Sequence, residues 1–333
     1  LTSIYSFAAV ALWFGVSGNS IILILTIVII GQVTSELAFT VYNAKLKIIS
    51  NEFEYGKISG MAWALGYFGG LTILIIILVL FVQNKKPFFG LSTDNYEHIR
   101  ICGPLVGLWI IIFSTPLFIF YKDTQIRTVR IIEVLKNGLK EVLRTFKEIK
   151  KYVNLLKFLL ARMFYIDGIN TVFAFGGIYA AGTFGMPFEE VISFGIATNI
   201  AAGFGALLFS FIDDKIGSKK VIILSLFILL ICGSGILMIE EKQTFWILGI
   251  ALSLFFGPVQ SASRVYFAKL VPLEKKTEFF GFYSLSGKIT AFLGPFMFAL
   301  LTTIFESQRA GMSSVIIFLT IGLFFMFFVK SDK

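Results

Sequence analysis

Amide, carboxyl and hydroxyl side chains recur at one-turn spacing inside stretches of this chain that are otherwise apolar. Gln32, Glu36, Thr40 and Asn43 stand at i, i+4, i+8 and i+11, which makes one polar stripe along a helix. Asp167 stands with Asn170 and Thr171 on one face of a second apolar stretch, and Lys288 shares a face with Ser284 on a third. Ionisable groups in such surroundings are costly and normally face a cavity or a partner. A carboxylate there can exchange a proton, and a lysine there needs a counter-charge: Asp167, Glu36 or the anionic group of a bound molecule. Two readings stand for each. Glu36 either exchanges a proton or only holds helices together; Lys288 either binds an anionic group or forms a permanent salt bridge to Asp167. Arg162 lies five residues before Asp167, about 140° round an ideal helix, and reads as a snorkelling anchor.

Other chemistries lack their residues. The single histidine, His98, has no second ligand at metal spacing, and Cys102 and Cys232 both sit in apolar segments, so neither a metal site nor a disulfide framework is expected. No nucleophile, base and orienting group converge at recognisable spacing, and no phosphate-cradling loop is present, so the reading is not an enzyme and needs no cofactor.

Composition supplies the setting. The 333 residues are 57% hydrophobic and only 15% charged, against about 25% charged in soluble domains. This is the composition of an integral membrane protein, with lipids as its surroundings. The net charge of +9 could suggest nucleic acid, but the basic residues lie between apolar runs, where they set topology, so no nucleic-acid partner is expected.

A spanning helix needs about 20 mostly apolar residues. Ten segments qualify: 1–16, 19–44, 58–82, 100–121, 155–180, 188–212, 220–239, 244–268, 279–304 and 311–329. Four precede and six follow a basic interval, Lys122 to Lys151, in which Ile132, Leu135, Leu139, Val142, Phe146, Ile149 and Val153 form an apolar stripe. That spacing predicts an amphipathic helix on the membrane surface, a hinge over 122–154 between a first part, 1–121, and a second, 155–333. Alternating the loops places 21 Lys and Arg on the hinge side and five on the other. The hinge and the C-terminus are therefore expected in the cytoplasm.

An internal repeat is legible. Val41-Tyr42-Asn43-Ala44-Lys45-Leu46 ends the second segment, and Val265-Tyr266-Phe267-Ala268-Lys269-Leu270 ends the eighth. Each copy precedes a short charged loop and a glycine-punctuated helix. The correspondence pairs Glu36 with Gln260, with Arg264 one turn on, and leaves the fifth and sixth segments without partners. It predicts twelve helices in two six-helix halves, with two helices missing before Leu1.

That architecture is similar to the major facilitator superfamily. Asp214-Lys215-Ile216-Gly217-Ser218-Lys219-Lys220 resembles its acidic-basic-x-Gly-basic-basic loop, with Ser218 at a usually basic position and Ser210 where a leading glycine is expected. The loop implies a cytoplasmic latch between helices of one half. Tyr165-Ile166-Asp167-Gly168-Ile169-Asn170-Thr171, Phe175-Gly176-Gly177-Ile178-Tyr179, Gly257-Pro258-Val259-Gln260-Ser261-Ala262-Ser263-Arg264 and Phe279-Phe280-Gly281-Phe282-Tyr283 resemble the vacuole-effluxer-like branch, the unknown major facilitator family of bacteria. The resemblance implies an all-α secondary transporter of the bacterial plasma membrane, working as a monomer by alternating access. Fungal members of the branch are implicated in amino-acid efflux, so a small amino-acid-like solute, with proton coupling, is the implied cargo. Gln32, Glu36, Thr40, Asp167, Asn170, Gln260, Arg264 and Lys288 are the candidate substrate and coupling-ion residues. A non-transporting scaffold or sensor, and a channel, are the competing classes.

The charge bias gives a topological prediction. In a background with Cys102 and Cys232 replaced by serine, a cysteine at Lys136 should react with a membrane-impermeant maleimide only in inverted vesicles, and one at Lys242 only in intact cells. The opposite pattern overturns the orientation.

Overall fold

The structure is a computed structural model and describes residues 1–16, 21–84, 87–121, 138, 144 and 151–331. The amphipathic helix expected over the hinge lies outside the described residues except at Gly138, Arg144 and residues 151–154, of which Val153 and Asn154 already belong to the helix that follows. The helices are α1 (Thr2–Ala11), α2 (Ile21–Ile49), α3 (Tyr55–Ile77), α4 (Glu97–Arg100), α5 (Cys102–Phe120), α6 (Val153–Phe184), α7 (Phe188–Ile216), α8 (Ser218–Met238), α9 (Lys242–Ser253), α10 (Phe256–Leu270), α11 (Lys276–Ser286), α12 (Leu293–Phe305) and α13 (Gln308–Phe327). Every one of the ten apolar segments is helical, and among the described residues eight helical stretches are long and apolar enough to cross a membrane.

Two segments that read as continuous are broken, each just before a proline. The eighth divides into α9 and α10 at Leu254 and Phe255, and the ninth into α11 and α12 over 287–292. Pro258 and Pro295 each fall in the first turn of the new helix. Proline is tolerated there because those amides have no intrahelical acceptor, whereas further in its ring would strike the carbonyl four residues back. The third segment ends instead in a wider π turn, Leu78–Val82.

By packing, the chain forms two compact units. One comprises Leu1–Tyr42 with Gly69–Leu139, the other Asn43–Phe68 with Lys140–Lys333. These units follow contacts rather than chain order, so the end of α2 and the start of α3 are built into the bundle that follows the hinge. In the first unit α1 lies along α5, where Gly107 comes close enough that a Cβ would sit 2.9 Å from the Ser6 carbonyl. Arg100 closes one end of that pair, donating to the Trp13 carbonyl at 2.9 Å and stacking on its indole.

In the second unit α6 packs against α13 along its length, and α10 fills the space between α7 and α8. Phe158, Tyr165, Tyr266, Phe267, Phe279 and Phe280 are fully buried and form its aromatic centre. Many other phenylalanines and isoleucines, such as Phe204 and Phe227, are exposed on the outside of the helices, as lipid-facing residues are. Helices approach through glycines: Gly168 against Phe318 and Leu319, Gly322 against Tyr165, and Gly205 against the Leu254 carbonyl.

The glycine contacts make a paired prediction. At Gly205 a Cβ would collide with the Leu254 carbonyl, whereas at Gly281 it would meet nothing within 4 Å. Gly205→Ala should destabilise by about 1–3 kcal/mol or more, because a backbone carbonyl cannot swing aside, while Gly281→Ala should gain up to about 1 kcal/mol of helix propensity. Thermal unfolding in detergent checks the pair; equal shifts would count against the packing.

Candidate functional site

The most densely bonded polar cluster in the second unit forms round Arg264 of α10, which is 3% exposed. Its Nε donates to the Ser59 hydroxyl at 2.9 Å, Nη1 to Asn43 Oδ1 at 3.3 Å and Nη2 to the Ser59 carbonyl at 3.3 Å. The Ser59 hydroxyl in turn donates to the Ser261 carbonyl at 3.0 Å. One turn back on α10, Gln260 donates to the Tyr67 hydroxyl at 2.9 Å. A planar fork of donors suits this arrangement, because a single guanidinium can reach three acceptors on two other helices. The two copies of the repeat are thus brought together: Asn43 from the first bonds Arg264 beside the second. Arg264 was expected among residues open to a solute; it is instead enclosed in this knot.

Two helix ends flank the knot. Lys47, one turn beyond Asn43 on α2, donates to the Ala268 and Val271 carbonyls at 2.7 and 2.6 Å, at the C-terminus of α10. The Asp214 carboxylate accepts from the amides of Gly56 and Lys57 at 2.7 and 2.8 Å, at the N-terminus of α3. An anion at a helix N-terminus and a cation at a C-terminus satisfy backbone groups that have no partner in the helix, and complement its dipole. The turn carrying Asp214 depends on Gly217, whose φ of 96° is closed to other residues without strain. Of the rest of the loop, Lys219 donates to the Val329 carbonyl at 2.6 Å, beyond the end of α13, while Lys215 and Lys220 are exposed. The expected latch within one half therefore has a different partner: Asp214 holds α3, which precedes the hinge in sequence. Lys47, Ser59 and Tyr67 were not anticipated. Their signal was the repeat, since Lys47 directly follows its first copy and Ser59 and Tyr67 lie on the glycine-punctuated helix that comes next.

The intramembrane charges on α6 and its neighbours have distinct settings. Asp167 is 1% exposed, and neither carboxylate oxygen has a hydrogen-bond partner among the described residues. The Thr290 hydroxyl, in the break between α11 and α12, lies alongside without closing a standard hydrogen bond. Gly294 packs over Thr171 and the Asp167 carbonyl, so a side chain there would be excluded. Asn170, expected on the same face, is exposed, whereas Thr171 is buried and donates to the Asp167 carbonyl at 2.7 Å. Lys288 is exposed and is not bonded to Asp167, so the salt bridge between them is absent. Arg162 is no lipid-facing anchor. It is 8% exposed, donates to the Tyr283 carbonyl and the Ser286 hydroxyl at 2.7 and 2.8 Å, and stacks on the Tyr283 ring at 3.6 Å. It caps the C-terminus of α11, which the break exposes.

In the first unit, the stripe on α2 is bonded along its own helix. Gln32 donates to Glu36 Oε1 at 3.2 Å, and the Thr40 hydroxyl to the Glu36 carbonyl at 2.9 Å. Glu36 is half-buried. No group of three or more metal-binding side chains occurs among the described residues.

Residues 50–333 match the family described as vacuole effluxer Atg22 like. The chain is 25% identical over 291 residues to an uncharacterized MFS-type transporter, YxiO, of Bacillus subtilis, covering 87% of this chain and 67% of that protein. It is 22% identical over 311 residues to autophagy-related protein 22 of Cryptococcus neoformans, covering 85% of this chain and 51% of that one, so it spans about half the length of the fungal relative. Among solved structures, the fold is similar to that of FucP, a major facilitator superfamily transporter in the outward conformation. The TM-score is 0.75 and the identity 14%, over 99% of this chain and 81% of FucP. The proton:xylose symporter XylE gives a TM-score of 0.67 at 15% identity, over 100% of this chain and 81% of that one. With the major facilitator fold and the repeat already in view, the match over most of its length establishes that the chain belongs to the vacuole effluxer Atg22-like family.

Proposed function

We propose that the protein is a secondary active transporter that exports a small polar solute of the amino-acid class by alternating access, driven by protons. It acts as a monomer in the bacterial plasma membrane with its C-terminus in the cytoplasm. The observation that carries the reading is the set of bonds formed by Arg264, Lys47 and Asp214. Each joins the end of α2 or the start of α3 to the bundle after the hinge, and each is a discrete contact that can be made or broken as a unit. A static scaffold has no need of a charged clasp where apolar packing would do. A channel would keep a continuous polar lining, and the charges here are few and local.

In this reading the clasp closes the cytoplasmic end, and its opening lets solute enter. Lys288, exposed beside the helix break, takes the anionic group of the solute; Asp167 takes the proton. Burying an ionised carboxylate without partners costs several kcal/mol, so Asp167 carries its proton while enclosed and releases it when the break at 287–292 opens it to water.

Three measurements test this. Asp214→Ala leaves two α3 amides without their acceptor, and should raise the labelling rate of a cytoplasm-facing cavity cysteine several-fold; an unchanged rate removes the clasp from the mechanism. In proteoliposomes, Asp167→Asn should abolish pH-driven uptake while preserving counterflow, and retention of pH-driven uptake would dismiss Asp167 as the proton site. In a thermal-shift screen against amino acids, dipeptides and organic acids, a stabilising compound should lose its effect in Lys288→Ala.

A further inference from the structure

The second unit encloses a cavity of about 300 Å³ that none of these charged residues lines. It lies in the half of the bundle remote from the hinge, between the C-terminal part of α6, the N-terminal parts of α7, α9 and α13, and the end of α8. Its walls are apolar and aromatic, including Phe173, Phe194, Phe256, Val315 and Ile316. Thr198, Asn199, Ser253 and Tyr179 are the polar side chains among them; the first three each donate to a carbonyl of their own helix, and the Tyr179 hydroxyl donates to the Ile236 carbonyl at 3.5 Å. Among the described residues no Lys, Arg, Asp, Glu or His borders it.

Glycines on its walls divide into two kinds. At Gly249 and Gly233 a Cβ would press on Phe194 and Ile316, so close helix approach accounts for them. At Gly195 it would meet nothing within 4 Å, and at Gly176 only Val172, one turn back on its own helix. A helix-interior glycine is disfavoured relative to alanine, and at these two positions no neighbouring helix requires it. What the missing side chains leave is volume, and it is volume in the cavity.

We infer that this cavity is a binding site for an uncharged hydrocarbon chain, the acyl tail of a membrane lipid. The size fits: at roughly 30 Å³ per small group, comparable to a water's share of liquid volume, the space takes about ten carbons. The lining fits as well, because a polar solute would find its polar groups unmatched, whereas a hydrocarbon gains contacts that an empty void forfeits. Phe173, at the margin of the cavity, is 51% exposed, so the cavity reaches the outside of its unit past an apolar side chain. This site stands apart from the transport reading and does not depend on it.

Native mass spectrometry of the full chain, taken from nanodiscs of defined phosphatidylethanolamine into mild detergent, tests the assignment. The wild type should retain one lipid. Gly195→Leu, which fills the cavity from a position with open space, should reduce retention at least tenfold, while Gly281→Leu, placed elsewhere with equal freedom, should not. Equal retention in the two variants overturns the site. If Gly195→Leu does not fold, Gly195→Ala with 1-decanol replaces it: decanol should raise the wild-type melting temperature and raise that of Gly195→Ala less. Stabilisation by decanol without any retained lipid would overturn the acyl-chain assignment, and so would the absence of both effects.

Discussion

A helix that ends inside a membrane protein leaves carbonyls at one end and amides at the other with no partner in the helix and little water to replace it. In this chain those ends are met by charged side chains from helices distant in sequence. Lys47 meets the end of α10, Arg162 the end of α11, Arg309 the Leu237 carbonyl at the end of α8, and Lys219 the carbonyl of Val329 beyond α13. Asp214 meets the start of α3. Each contact combines a hydrogen bond to a charged group, worth about 1.5–3 kcal/mol, with a favourable alignment to the helix dipole.

The same constraint explains where polar residues inside the segments come to rest. Arg264 finds Asn43 and Ser59, and Arg162 finds the carbonyl exposed by the break before α12. Asp167 finds only Thr290 and a packed glycine. Both Asp167 carboxylate oxygens are buried without a hydrogen-bond donor among the described residues, and an enclosed carboxylate in that setting is costly to ionise. Asp167 adjoins the interruption of α11 and α12, where the backbone has already given up continuous helical bonding. Interrupted helices at ion and solute sites follow the same logic in transporters built from repeats.

Much of the architecture was legible in the chain. Spanning segments are defined by the length and hydropathy that a bilayer requires, so eight of the ten appear as helices long enough to span, while the first and the ninth hold only shorter apolar helices. The repeat also foretold a real juxtaposition, since its two copies meet through Asn43 and Arg264. Less legible were the breaks before Pro258 and Pro295, because hydropathy runs unbroken through them. Arg162 illustrates the harder case: a lone arginine in an apolar run looks the same whether it reaches for a headgroup or for a carbonyl on another helix.

The sequence by itself determined that the protein crosses the membrane, how many apolar segments it brings, and that a six-residue pattern recurs at the ends of the second and eighth. These follow from composition and local period, which each residue carries with it. Only the tertiary structure decided what the charges do. Lys47 reads as topogenic charge, and Asp214 and Lys219 as a latch within one half, because residue type and position along the chain are all that sequence displays. Their role as caps depends on which helix end lies within three ångströms of them, and that is set by packing between segments more than 100 residues apart.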